Sequence, residues 1–299
     1  MLLKWLYVII IVFFLVSLCI NVIKRKDTLL QEPGSVVYYS FYSFLIYCLA
    51  AFGISDSALN TMLFRKKKYV SIENLPGTIV ICAVTPFCSL SYSYIPSITI
   101  KTHTILMFAA ASALGSFFGA SIVAKCSKKT IRKLLIIALL LSIVMLLVKI
   151  LLPAEIGVSS VKFNTGETVL AVLSVLLMMA FAMVGLSTAA PMAAVFMLMG
   201  MDTISSIALS IIVASFGCII GAIKYMWTKK FSLKAALCEN PFGLLGGLVG
   251  VRLIHYVPEI LIQILMLSAV CFAAIILIKD KPVEALERRA VCYEQRDNH

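Results

Sequence analysis

Gly53-Ile54-Ser55-Asp56-Ser57-Ala58 and Gly185-Leu186-Ser187-Thr188-Ala189-Ala190 are the stretches that decide the fold, and they align in register with Gly53 opposite Gly185. Each follows directly on an apolar run. Each opens a further apolar piece, Ile54–Phe64 and Ser187–Met199, only about half a bilayer long at about 1.5 Å per residue. A glycine followed by small hydroxyl residues between two apolar pieces predicts a helix that stops and restarts inside the membrane. Such a break is tolerated only where it is buried in protein or lines a watery cavity.

The same register recurs outward from these turns. Gly115-Ser116-Phe117-Phe118-Gly119 matches Gly246-Gly247-Leu248-Val249-Gly250 at nearly the same separation along the chain. Thr78 falls opposite Ser210, and the apolar run ending at Lys149 falls near the one ending at Lys279. Several matches in order at nearly constant spacing indicate an internal repeat. The predicted organisation is an N-terminal transmembrane helix and basic loop (1–34), a first repeat (35–152), an external linker (153–167), a second repeat (168–279) and a charged cytoplasmic tail (280–299).

Composition fixes the environment. The chain has 299 residues, of which 62% are hydrophobic and only 13% charged, with a mean hydropathy of +1.04. A soluble surface needs about 25% charged residues, so the chain is read as an all-α polytopic membrane protein. That excludes most soluble enzyme folds. It also excludes nucleic acid as the reading of the +12 net charge, because basic residues also orient membrane proteins. Nine expected spans follow: Trp5–Ile23, Val36–Gly53, Thr78–Ile95, Thr104–Val123, Leu134–Leu152, Val169–Leu186, Thr203–Ile223, Pro241–Leu253 and Ile260–Ile278. Trp5–Ile23 lacks a small-residue cleavage site and is expected to be retained. Asn240 and Pro241 are expected to begin a helix.

The basic residues fall in five places, at 24–26, 65–68, 125–133, 224–234 and 279–296, which together hold 21 of the 26. All five can lie on the cytoplasmic side if each half-length piece returns to the side its helix came from. The first repeat then begins inside and the second outside. Basic loops of one repeat correspond to bare turns of the other, which is the charge pattern of inverted-topology repeats.

No signature of an enzyme, P-loop, dinucleotide site or zinc site is present. The nine cysteines include no CxxC pair, and the expectation is free thiols packed as small hydrophobes. No metal and no cofactor is expected.

The second repeat carries a family resemblance. It holds Val184-Gly185-Leu186-Ser187-Thr188-Ala189-Ala190-Pro191, then Gly200, then Ala208-Leu209-Ser210, then Tyr225 with a basic loop, and last Gly243-Leu244-Leu245-Gly246-Gly247-Leu248-Val249-Gly250-Val251-Arg252. With these residues the chain resembles the sulfite exporter TauE/SafE family of membrane transporters across about residues 35–280. It departs from the family's turn, in which further glycines stand where this chain has serine, threonine or alanine. Leu59 stands where the second copy has Pro191, and Asp56 is an addition. The resemblance implies a secondary active transporter of small anions, sulfur-containing ones such as sulfite or sulfonates, in the bacterial plasma membrane. A passive anion channel and a non-transporting membrane scaffold are the alternatives.

Candidate substrate-binding residues follow. A helix restarting at Ser55 or Ser57, or at Ser187 or Thr188, presents free backbone N–H groups and a positive dipole end, which bind anions. Ser55, Ser57, Ser187 and Thr188 add hydroxyls. The same hydroxyls fit helix capping equally well. Thr78 and Ser210 match the family's small-polar position after the hairpin, and the resemblance places them along the same cavity or in interhelical bonds. Asp56 reads either as an N-cap or as a carrier of a coupled proton, because an ionised carboxylate beside an anion is repulsive. Partners are therefore a small anion and membrane lipid, with the proton as coupling ion or the membrane potential as the driving force. Arg252 is expected to snorkel to the interface.

Overall fold

The computed structural model describes residues 2–131 except 53, 67, 68, 98, 99, 101 and 128, residues 165–253 except 186, 187 and 202, and isolated positions at 133–147 and 256–278. The described elements are α1 (Leu2–Lys24), α2 (Lys26–Gln31), α3 (Val36–Ala50), α4 (Asp56–Lys66), α5 (Leu75–Cys82), α6 (Val84–Tyr94), α7 (Thr102–Val123), α8 (Thr165–Ala182), α9 (Ala189–Leu198), α10 (Thr203–Thr228) and α11 (Leu233–Leu253). Among the described residues there is no strand. The chain is an all-α membrane protein. Among the described residues four spans are long and apolar enough to cross a bilayer, namely Trp5–Lys24, Leu75–Tyr94, Thr102–Val123 and Ser205–Thr228, and Val36–Ala50 and Gly166–Ala182 are shorter apolar helices. The expected spans Leu134–Leu152 and Ile260–Ile278 lie largely outside the described residues.

Burial runs from the middle outward. The spans Leu75–Tyr94 and Ser205–Thr228 are 94% and 89% buried, whereas the N-terminal span is 17% buried. Large apolar side chains remain exposed on the outer helices, among them Val8, Val12 and Val16 of α1, Leu114 and Phe118 of α7, Leu173 and Leu177 of α8, and Leu245 of α11. A contiguous apolar exterior of this kind needs lipid around it. Among its described side chains α1 buries only the stripe Tyr7, Phe14 and Leu18. Tyr7 donates to the Ile212 carbonyl at 3.0 Å and its ring meets Phe216, which holds α1 against α10.

Two glycine seams join the outer helices. In α7, Gly115 and Gly119 lie against the carbonyls of Leu176 and Ala180 of α8, and in α11, Gly246 and Gly250 lie against those of Phe44 and Cys48 of α3. At all four a Cβ would collide with the facing backbone, so these positions serve close helix approach. The glycines of one seam and the carbonyls they face correspond, in the register of the repeat, to those of the other. Further bonds recur in the same register. Tyr94 donates its hydroxyl to the Ala51 carbonyl at 2.8 Å, and Tyr225 donates to the Met183 carbonyl. The Tyr69 N–H bonds the Phe64 carbonyl at 3.0 Å, and the Met201 N–H bonds the Phe196 carbonyl at 3.1 Å.

Three of the basic clusters meet at one end of the bundle. Arg25 packs its guanidinium over Phe231, 4.9 Å from the ring centroid, and pairs with Glu32 at 3.5 Å. Glu32 in turn accepts from the Ser232 hydroxyl and the Leu233 and Lys234 N–H groups at 2.6–3.1 Å, capping α11. Lys230 donates to the Ala124 carbonyl at 2.5 Å. The loops at 24–26, 124–126 and 224–234 therefore meet on one face.

The expected helix start at Asn240-Pro241 is corrected. α11 begins at Leu233 and runs through Pro241 without stopping, because Asn240 faces inward rather than capping. The Asn240 amide donates to the Ile81 carbonyl at 3.1 Å and its oxygen accepts from the Thr85 N–H at 3.1 Å. Those are the donor and acceptor that would pair with each other in an unbroken helix. The span from Leu75 to Tyr94 breaks at Ala83 between α5 and α6, and the Asn240 side chain fills the gap in its ladder. Thr85 adds a hydroxyl bond to the Asn240 carbonyl at 2.6 Å.

Candidate functional site

Each half-length helix starts where its predecessor ends in the bundle interior. α8 ends on Gly185, whose φ of +97° is the left-handed conformation that closes helices; the Gly185 N–H bonds the Ala182 carbonyl at 2.8 Å. α9 then starts at Ala189. α3 ends at Ala50 and α4 starts at Asp56. At 11 and 10 residues, α4 and α9 are each about 15 Å long, half the hydrocarbon thickness.

The two helix starts share one cavity. Asp56 and Ser57 from α4 and Thr188 ahead of α9 line it, together with Ala83 at the α5–α6 break, Met183 at the end of α8 and Cys218 of α10. The cavity has about 20 Å³ of room for water centres, enough for a single water. A four-atom oxyanion needs more room than that.

The side chains around the cavity divide into caps and unpaired groups. Ser55 is a cap: its Oγ accepts the Ala58 N–H at 3.2 Å. Ser57 Oγ is buried with no hydrogen-bond partner. A buried hydroxyl left without a partner is costly, and here it lies at the start of a helix beside a cavity. Asp56 is 3% exposed. Thr188 accepts the Met192 N–H on its carbonyl at 2.9 Å and donates its hydroxyl to the Met179 sulfur at 3.4 Å. Thioether sulfur is a weak acceptor, so that hydroxyl remains available to a stronger one.

The other expected site residues lie elsewhere or outside the description. Ser187 is not among the described residues. Thr78 is fully buried but does not line the cavity; its hydroxyl donates to the Asn74 carbonyl at 2.7 Å and accepts the Ser232 N–H at 2.9 Å, tying α5 to the loop before α11. Ser210 is also away from the cavity and donates to the Ile207 carbonyl of its own helix at 2.9 Å. Arg252 is exposed on the last turn of α11.

The roles of four residues escaped the sequence reading. Tyr94 and Tyr225 satisfy the last carbonyls at the two helix breaks, and their correspondence in the register that sets Gly115 opposite Gly246 was the available signal. Asn240 bridges the α5–α6 break. Glu239 beside it is 0% exposed; starting the helix at Pro241 left this carboxyl in a loop, whereas a helix drawn back to Leu233 places it among apolar residues.

The family model Sulfite exporter TauE/SafE matches residues 58–277. The chain belongs to the sulfite exporter TauE/SafE family. No curated protein and no solved structure matches it. TauE/SafE proteins are membrane transporters, so the exposed apolar belt and the buried break are read as parts of a transporter. The match takes in α9, α10 and nearly all of α4, and begins one residue after Ser57. The α4 cap, Asp56 and Ser57 lie just before the matched residues.

Proposed function

We propose that the protein is a secondary active transporter of small oxyanions, sulfite or a related sulfur-containing anion, which binds between the starts of α4 and α9. The observation that carries this reading is the shared cavity lined by Asp56, Ser57 and Thr188. Two helix N-termini supply backbone N–H groups and positive dipole ends without any basic side chain. Ser57 adds a buried hydroxyl with no other partner, and Thr188 adds a second. The interactions that recur in the repeat register support two repeats, and the meeting of the basic loops on one face supports their inverted orientation, with that face cytoplasmic. Alternating access then rocks α3, α4 and α11 against α7, α8 and α9 around the fixed site. The smallness of the cavity favours this over a passive channel, which would keep an open path.

Purified protein in liposomes preloaded with sulfite tests the proposal. A transporter gives saturable uptake of labelled sulfite that rises when unlabelled sulfite is present on the opposite side. Flux that is linear in concentration and indifferent to the opposite side contradicts it.

A further inference from the structure

Buried polar side chains continue past the cavity from Asp56. One turn further along α4, Asn60 is fully buried and donates its amide to the Tyr47 hydroxyl of α3 at 3.4 Å. Tyr47 lies within electrostatic reach of both Asp56 and Glu239. Ser43, one turn back along α3, donates to the Glu239 carbonyl at 2.8 Å. These residues form a buried polar lane from the cavity toward the end of the bundle where the basic loops meet. The lane is short of partners: Asn60 Oδ1, Ser40 Oγ and both carboxyl oxygens of Glu239 accept or make no hydrogen bond. The Cys82 thiol stands beside Glu239 as a weak donor at most.

Among the described residues, the following titratable groups lie within electrostatic reach of Glu239. Tyr39 and Tyr47 come from α3, Asp56 from α4, Cys82 from α5, and Cys238 from its own helix. None is a cation. An ionised carboxylate with no counter-charge and no hydrogen bond is among the most costly groups a membrane interior can hold.

The lane exists on one side only. In the register that sets Gly115 opposite Gly246, Glu239 falls opposite Phe108. In the register that sets Gly53 opposite Gly185, Ser43, Tyr47, Asn60 and Cys82 fall opposite Val175, Met179, Met192 and Ala214. All five counterparts are buried and apolar. A carboxyl kept for packing would not need its whole surroundings converted from apolar to polar. A carboxyl that exchanges a proton with water on one face would.

We propose that Glu239 is the proton-binding residue of the transport cycle, holding a proton while it is buried and dry and exchanging it with water that enters the lane beside Tyr47 and Asn60. The inference rests on the transporter reading above and names the coupling ion and its carrier. The proton is bound while the lane is dry. It leaves to water when the bundle opens toward the basic face, and the remaining carboxylate is then solvated. Asp56 lies within electrostatic reach of Glu239, so an anion in the cavity and a charge on Glu239 oppose each other, which couples anion binding to protonation.

Infrared difference spectroscopy on the full chain in lipid reads the proton without requiring transport. At neutral pH the wild type shows a carboxylic-acid carbonyl band, shifted in heavy water, that Glu239→Gln lacks and Asp56→Asn retains. No such band in the wild type, or a band that persists in Glu239→Gln, overturns the proposal. In liposomes, a pH gradient of one unit drives up to about tenfold sulfite accumulation over empty vesicles for one proton per anion. The ratio falls to about one in Glu239→Gln, and Glu239→Asp keeps part of it. An unchanged ratio in Glu239→Gln, or a sodium gradient that replaces the pH gradient, overturns the assignment. Failure of the wild type to move sulfite at all counts against the transporter reading instead, and the infrared band still decides whether Glu239 holds a proton. Melting temperature shows that Glu239→Gln is folded.

Discussion

Ser57 and Ser55 are separated by one residue and do different work. Ser55 gives its oxygen to the Ala58 N–H, whereas Ser57 keeps a buried hydroxyl without a partner. Ser57→Ala is expected to weaken sulfite binding by on the order of ten- to hundred-fold, since a hydrogen bond to a charged group is worth about 1.5–3 kcal/mol, while melting temperature stays level or rises. Ser55→Ala is expected to do the reverse, costing about 1 kcal/mol of stability through the lost cap with a smaller effect on affinity. Calorimetric titration and thermal melts on the pair check both. The turn itself was legible in the sequence, because a glycine and hydroxyls between apolar runs leave few alternatives to a helix break. The division of labour between its serines was not, because it depends on which hydroxyl the first N–H groups reach.

Helix breaks in this protein are closed by side chains from other helices. Asn240 of α11 bridges Ile81 and Thr85 across the α5–α6 break. Asn240→Leu orphans both backbone groups, at about 1–3 kcal/mol each, and is expected to lower thermal stability well beyond the loss from Asn21→Leu on α1, whose amide bonds only its own helix. The sequence could not announce this, since an asparagine before a proline is also how many helices begin. Glu239 was missed for the same reason. The two glycine seams were visible as spaced glycines, but their partners were not: Gly119 meets Ala180 and Gly250 meets Cys48, each helix packing on the other half of the chain. Gly119→Ala and Gly250→Ala are expected to destabilise by similar amounts, about 1–3 kcal/mol for overpacking at a backbone contact. Paired thermal melts test the equality, and a large effect at only one seam contradicts the equivalence of the halves.

Across the bundle, two starts of short helices meet at a cavity, and the positions around Glu239 are polar where their counterparts are apolar. The meeting of the tips follows from sequence features that repeat. The one-sided polar lane does not, because it arises where corresponding positions differ, and a search for likeness passes over those. A single measurement bears most directly on the account: crystals of the protein grown with selenite, an anomalously scattering analogue of sulfite. A selenium peak is expected between Ser57 and Thr188, beyond the N–H groups that open α4 and α9. A peak elsewhere in the bundle, or none there in protein that binds selenite in solution, would contradict it.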